Sequence, residues 1–268
     1  MRFWLAFAVL LPTMSRAELT GTWVIQPELT TFQMLRSPIL SLDRGIYRRT
    51  DCRGDPVDMP ADGGFYPVKK QPFFDRMAVR VVDGRRVAIQ QKLGDRTTWK
   101  GGYTVSKNGA EMTLEFENDL AAKPVTGALQ YVREGTAVAG AHPLTGTWRI
   151  EKLIRLSPSG SSLTFTIEQS RSGQDTDDGF TFLAGDGRSA EGKTDAKDYP
   201  LQGYLEGGTL SVNHLQPSVW KMNHKQNSTL VEVLAAMVSD DGGTLTLRQT
   251  DLLCEEVTIF TLRKQTLP

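Results

Sequence analysis

Few side chains in this sequence are equipped to do chemistry. It holds three histidines (His142, His214, His224) and two cysteines (Cys52, Cys254). A nucleophilic hydrolase needs a Ser or Cys held against a base. No G-x-S-x-G elbow occurs, Ser159-Gly160-Ser161-Ser162 reads as a turn between strands, and His142 falls in a linker. No catalytic residue and no cofactor is assigned, and a non-enzymatic protein is expected. His214 and His224 flank a turn around Gln216-Pro217. In such a hairpin His214 lies opposite about Ser218–Val219, and His224 stands about 17 Å further along its strand. Ligands of one metal ion stand within ~2 Å of it, so the two histidines do not form a site. The acidic run Asp175-Thr176-Asp177-Asp178-Gly179 clusters oxygens of the kind a hard cation prefers. It lacks the twelve-residue spacing and closing Glu of a calcium loop, and it reads as a solvated turn. No metal site is assigned.

Cys52 and Cys254 are an even pair, which in an exported protein can be a disulfide or two unpaired thiols. As a bridge they would close a loop of about 200 residues, worth about 4–5 kcal/mol in the chain-entropy model. The basic groups Arg44/Arg48/Arg49 and Arg85/Arg86 each have Asp close by in sequence and read as local surface charge.

The chain around these residues has the composition of a soluble globular protein: 268 residues, 39% hydrophobic and 23% charged. Lys plus Arg and Asp plus Glu number 31 each, so no cationic excess exists for binding nucleic acid. Residues 1–17 have the layout of a secretory signal: Arg2, the apolar run Phe3–Leu11, Pro12, then Ser15-Arg16-Ala17 as a cleavage site. Nine apolar residues fall well short of the ~20 that span a bilayer. Removing this segment, which carries two cations and no acid, leaves 29 cations against 31 anions, a net charge of −2. The expected product is periplasmic or secreted, with no integral membrane segment after cleavage.

The mature chain repeats itself. Leu19-Thr20-Gly21-Thr22-Trp23 recurs as Leu144-Thr145-Gly146-Thr147-Trp148, a shift of 125 residues. Tyr66-Pro67-Val68 recurs as Tyr199-Pro200-Leu201 and Met112-Thr113-Leu114 as Leu245-Thr246-Leu247, both at 133, so the second copy carries an insertion. Its natural place is the Gly/Ser/Asp-rich stretch between Gln169 and Lys197. A period near 130 is far longer than a solenoid repeat, which predicts a domain at 18–136, a linker at 137–143 and a second domain at 144–268.

Within each copy the pattern is that of short strands. Met77–Val81 alternates apolar and polar, Asp83-Gly84 supplies a turn, and Val87–Gln90 resumes the alternation. Leu210–Asn213 and Val219–Met222 repeat the arrangement, and further hairpins turn at Asn108-Gly109 and Asp241-Gly242. The predicted class is all-β: two antiparallel β-barrels, with β-sandwiches as the alternative.

The opening Gly-Thr-Trp of each copy resembles the G-x-W start of lipocalins and other calycins. Each copy also resembles small bacterial exported lipocalin-like domains, through the YP turn and the S-x-D-G-x-T-L-T hairpin seen at Ser239–Leu247. The first copy departs from that pattern at Lys107-Asn108, and neither copy has the later T-D-Y signature. The resemblance implies two tandem lipocalin-like barrels in which Trp23 and Trp148 are structural plugs. It also implies that Arg133 and Arg263, on the last strands, pack over those tryptophans.

Alternation places Val79, Val87, Ile89 and Leu114 on the inner face of the first copy, and Val212, Trp220, Met222 and Leu247 on that of the second. These residues either fill a solid interior or line a cavity for a small apolar ligand. The expectation is an exported binding protein with a candidate site in each barrel. The alternative is a solid-core structural or protein-interaction module of the cell envelope, with an envelope protein as its partner.

Overall fold

The structure, a computed structural model, describes residues 19–34, 36–50, 57–168 and 178–265. The expected signal segment 1–17, Cys52 and Asp175–Asp177 lie outside the described residues. The fold is all-β, built from two nearly closed antiparallel sheets. The first runs, in hydrogen-bonded order, β5 (Val57–Pro60), β4 (Ile46–Arg49), β3 (Ile39–Asp43), β12 (Gly146–Leu156), β11 (Val125–Glu134), β10 (Glu111–Asn118), β9 (Arg96–Val105), β8 (Arg86–Leu93), β7 (Arg76–Asp83) and β6 (Asp62–Pro67). The second runs β15 (Ser189–Lys193), β14 (Gly179–Ala184), β13 (Ser162–Glu168), β1 (Gly21–Ile25), β21 (Glu256–Lys264), β20 (Thr244–Asp251), β19 (Thr229–Val238), β18 (Val219–Gln226), β17 (Gly208–Gln216) and β16 (Tyr199–Pro200), with β2 (Thr31–Met34) also paired to β21. Each sheet curls until its ends meet. The Ser189 and Gln202 backbones exchange hydrogen bonds in the second. In the first, Ala61 donates to Gly45 and accepts from Val81.

The sheets do not follow the halves of the sequence. β1, from the first copy, fills the slot between β13 and β21 of the second. β12, from the second copy, fills the matching slot between β3 and β11 of the first. The two Gly-Thr-Trp strands are exchanged. The chain explains this locally: after β11 it turns back through a short connection and lies antiparallel beside the strand it has just left, Arg133 opposite Trp148, the shortest route open to it. β1 then occupies the slot that β12 has vacated.

Each exchanged strand carries a buried Trp whose indole N–H donates at 2.8 Å to the carbonyl four residues earlier, Trp23 to Leu19 and Trp148 to Leu144. The glycine two residues before each Trp sits at positive φ, +143° at Gly21 and +150° at Gly146. A Cβ on Gly146 would stand 2.2 Å from an Arg133 guanidinium nitrogen, and one on Gly21 would stand 2.5 Å from Lys264 Cε. Glycine is required there because a cation passes over it to reach the indole. In the first barrel that cation is Arg133, 4.2 Å from the Trp148 ring and donating to the carbonyls of Gly109, Thr145 and Pro143. In the second barrel it is Lys264, 5.3 Å from Trp23. The expectation for Arg263 is thereby corrected: Trp23 pairs in register with Lys264, so alternation turns neighbouring Arg263 to the other face, where it donates to Thr244 Oγ1.

The exchange also shares the cores. Leu144, Trp148 and Ile150 are buried with the first barrel's Leu40, Val79, Val105 and Met112. Leu19, Trp23 and Ile25 are buried with the second barrel's Phe165, Val212 and Leu262. Phe32 and Met34 of β2 pack on the first core, and Leu156 of β12 packs on the second. Cys254 is disulfide-bonded, and the chain's other cysteine, Cys52, lies outside the described residues. Among the described residues no helix is long and apolar enough to cross a membrane.

Candidate functional site

The two barrels face each other with the ends opposite their Trp plugs. Phe73 meets Tyr204 edge-on at 6.4 Å, and the Ala122 and Lys123 amides donate to the Gly203 and Asp186 carbonyls. At this end the second barrel is hollow. A cavity of about 230 Å³ runs into it, walled by Phe165, Phe182, Leu210, Met222, Leu234, Leu247 and Phe260. His224, Glu232, Gln249 and Arg188 form its rim, and the same four residues line a second space of about 370 Å³ between the barrels. That chamber is completed from the first barrel by Phe73, Phe74, Thr98, Trp99 and Asn118.

The rim is a product of strand register. His224 lies on β18 opposite Glu232 on β19, and Glu232 lies opposite Asp251 on β20. His224 shares the inward parity of Trp220 and Met222, so it points into the lumen, and it is 4% exposed. Its Nδ1 faces Glu232 Oε2 at 3.4 Å, and Gln249 donates to Glu232 Oε1. His224 Nε2 is buried with no hydrogen-bond partner, and so is Thr98 Oγ1 across the chamber. Arg188 is held by Asp186, which accepts from its Nε at 2.8 Å and its backbone N–H at 3.0 Å. Its guanidinium lies 5.6 Å from the Tyr204 ring, which also meets His224 edge-on at 5.2 Å. Burial pushes the Tyr204 hydroxyl far above the ordinary phenol range. Asp251 Oδ1 accepts from the Leu253 and Cys254 amides, yet burial, with the charge of Glu232 adding to it, holds its carboxyl above the usual carboxylate range.

All eight inward residues expected to line a site are buried: Val79, Val87, Ile89, Leu114, Val212, Trp220, Met222 and Leu247. Only Met222 and Leu247 border the second barrel's cavity. Val212 and Trp220 lie in its packed core, and Val79, Val87, Ile89 and Leu114 lie in the core of the first barrel. His214 stands opposite Trp220 rather than Ser218–Val219, because a bulge near Leu215 shifts the hairpin by one residue, and its ring stacks on that indole at 4.8 Å. The rim residues were not singled out as a site. Their signal was present as polar side chains at inward parity: His224 after Trp220 and Met222, Gln249 after Leu245 and Leu247, Glu232 before Leu234 and Ala236.

A further concave feature, about 640 Å³, is an open groove across Ala78, Ala88 and Gly102 on the first barrel. Two of its three cations are paired, Lys100 with Glu117 at 2.8 Å and Arg155 with Glu115 at 3.0 Å, and Arg80 is the third. Among the described residues no group of three or more His, Cys, Asp or Glu is arranged to hold a metal ion.

No known protein-family model matches this chain. Comparison with curated proteins and with solved structures also returns no match.

Proposed function

We propose that this is an exported, lipocalin-like, non-enzymatic binding protein that holds a small apolar molecule in its second barrel. The observation that carries the reading is the apolar-walled lumen ending at the buried, unpartnered His224 Nε2. An apolar-walled cavity of this size takes up small apolar molecules because their burial removes their surface from water at about 25 cal/mol per Å². A polar group at its end orients whatever enters. The chain's double-barrel form and its secretory leader suit a periplasmic or secreted carrier.

The second reading is an interaction module of the cell envelope. It is favoured by apolar side chains exposed on equivalent hairpins, Val81 and Val82 on one and Leu215 on the other, with Met237 beside it.

An environment-sensitive apolar dye titrated into purified residues 18–268 separates the two. The carrier reading predicts saturation near one dye per chain, lost in Met222→Trp, whose indole fills the lumen. A flat titration of the wild-type chain would overturn it and leave the interaction module.

A further inference from the structure

Resting on that carrier reading, we infer that the chamber between the barrels is a head-group site for an organic cation, so that the preferred ligand is a small amine with an apolar body. Two carboxylates, Glu232 and Asp251, stand opposite one another in its wall. Asp251 accepts hydrogen bonds only through Oδ1 among the described residues. Among the described residues that line it the one cation is Arg188, whose Nε and backbone N–H are on Asp186, so its charge is already matched. Arg49 also acts on the Asp251 carboxyl as a nearby positive charge, so against it and the matched Arg188 the carboxylates Glu232 and Asp251 leave the chamber acidic by one charge.

The unpartnered buried atoms have the same preference. Glu232 faces His224 Nδ1 and accepts a hydrogen bond from Gln249 as well. A carboxylate facing Nδ1 favours the tautomer with the proton there, which leaves Nε2 as an acceptor. Thr98 Oγ1, 1% exposed, is a second atom able to accept. An ammonium brings up to three N–H donors and one positive charge to these acceptors, while Trp99 and Phe73 line the same space. The ligand body would then lie against Met222, Leu247 and Phe182 in the lumen. A carboxylate of the same shape would face Glu232 and Asp251 at close range and be repelled.

Calorimetric titration with 2-phenylethylamine, 2-phenylethanol, phenylacetate and ethylbenzene tests this. The amine should bind at least about tenfold more tightly than the alcohol, which corresponds to ~1.4 kcal/mol, and phenylacetate should bind worst. Glu232→Gln and Asp251→Asn should each reduce the amine's advantage, and Asp251→Asn, which lies outside the apolar lumen, should leave ethylbenzene affinity within about twofold. Ethylbenzene binding with no preference for the amine, or a preference unaffected by both substitutions, would overturn the head-group assignment alone. Failure of all four compounds would overturn the carrier reading beneath it.

Discussion

Where the first barrel carries Gln91, Trp99, Gly101 and Phe116, the second carries His224, Glu232, Leu234 and Gln249. The strand pairings put these residues in the same places: Trp99 opposite Gln91 and Glu232 opposite His224, Phe116 opposite Gly127 and Gln249 opposite Thr258. In the first barrel the aromatic rings fold inward over glycines. A Cβ on Gly101 would stand 2.5 Å from Trp99, and one on Gly127 would stand 2.4 Å from Phe116. Tyr103 and Tyr131, edge-on at 6.4 Å, add to the filling. In the second barrel Leu234 and Thr258 replace the glycines, so no ring can lie there, and the shorter polar side chains stand around an opening. One frame thus serves twice, once packed with aromatic rings and once left open with a polar rim.

The shared frame rests on the exchanged strands, and the largest predicted effect breaks it. Trp148→Ala should cost about 3–5 kcal/mol, and the damage should fall on the barrel formed by residues 39–134 although the substitution lies in the second copy. Trp23→Ala should do the converse. Hydrogen exchange resolved by residue checks both, and protection lost within the substituted half of the sequence would contradict the exchange.

Gly146→Ala and Gly21→Ala compare the two plugs. Arg133 is fixed by three backbone carbonyls, whereas Lys264 Cε lies on a flexible stem. The first substitution should cost about 2–3 kcal/mol and the second about 1–2, both including the penalty for a side chain at positive φ. Denaturant midpoints measure the difference, and equal losses would remove the distinction between the plugs.

Trp99→Leu should open the first barrel at a cost of about 1–3 kcal/mol and raise the apolar dye stoichiometry towards two per chain. An unchanged stoichiometry would show that Trp99 is not what closes it.

The smallest effect concerns Asp251. Its carboxyl is held above the usual range by burial, so the folded state keeps its proton to higher pH than the unfolded chain does. Stability from this group therefore falls as pH rises from the ordinary carboxylate range through the raised folded value. Asp251→Asn, which keeps an Oδ1 acceptor, should be neutral at acid pH and more stable than wild type by up to about 1 kcal/mol at pH 7. Melting curves across pH 3–7 check the sign.

Much of the frame was legible in the sequence. Ordered matches from Gly21-Thr22-Trp23 onwards disclosed the duplication, and period-2 alternation placed Val79, Ile89, Val212 and Met222 inside. The strand exchange was not legible in the motif, because Leu-Thr-Gly-Thr-Trp is identical in both copies; only the short connection from β11 to β12 decides which last strand it joins. The plug cation was misplaced for a related reason: matching Leu129–Arg133 to Ile259–Arg263 is one residue out of the register in which Lys264 pairs with Trp23. The rim is not legible from the repeat, because the repeat marks where the copies agree, whereas His224, Glu232 and Gln249 stand where they differ.

The claim that one barrel is hollow and its twin filled is tested most directly by diffraction from crystals of residues 18–268 under xenon pressure, since xenon enters dry apolar cavities. The account predicts xenon in the second barrel, beside Met222 and Leu247, and none among Val79, Ile89 and Leu114 of the first. Xenon in both barrels alike, or in neither, would contradict it.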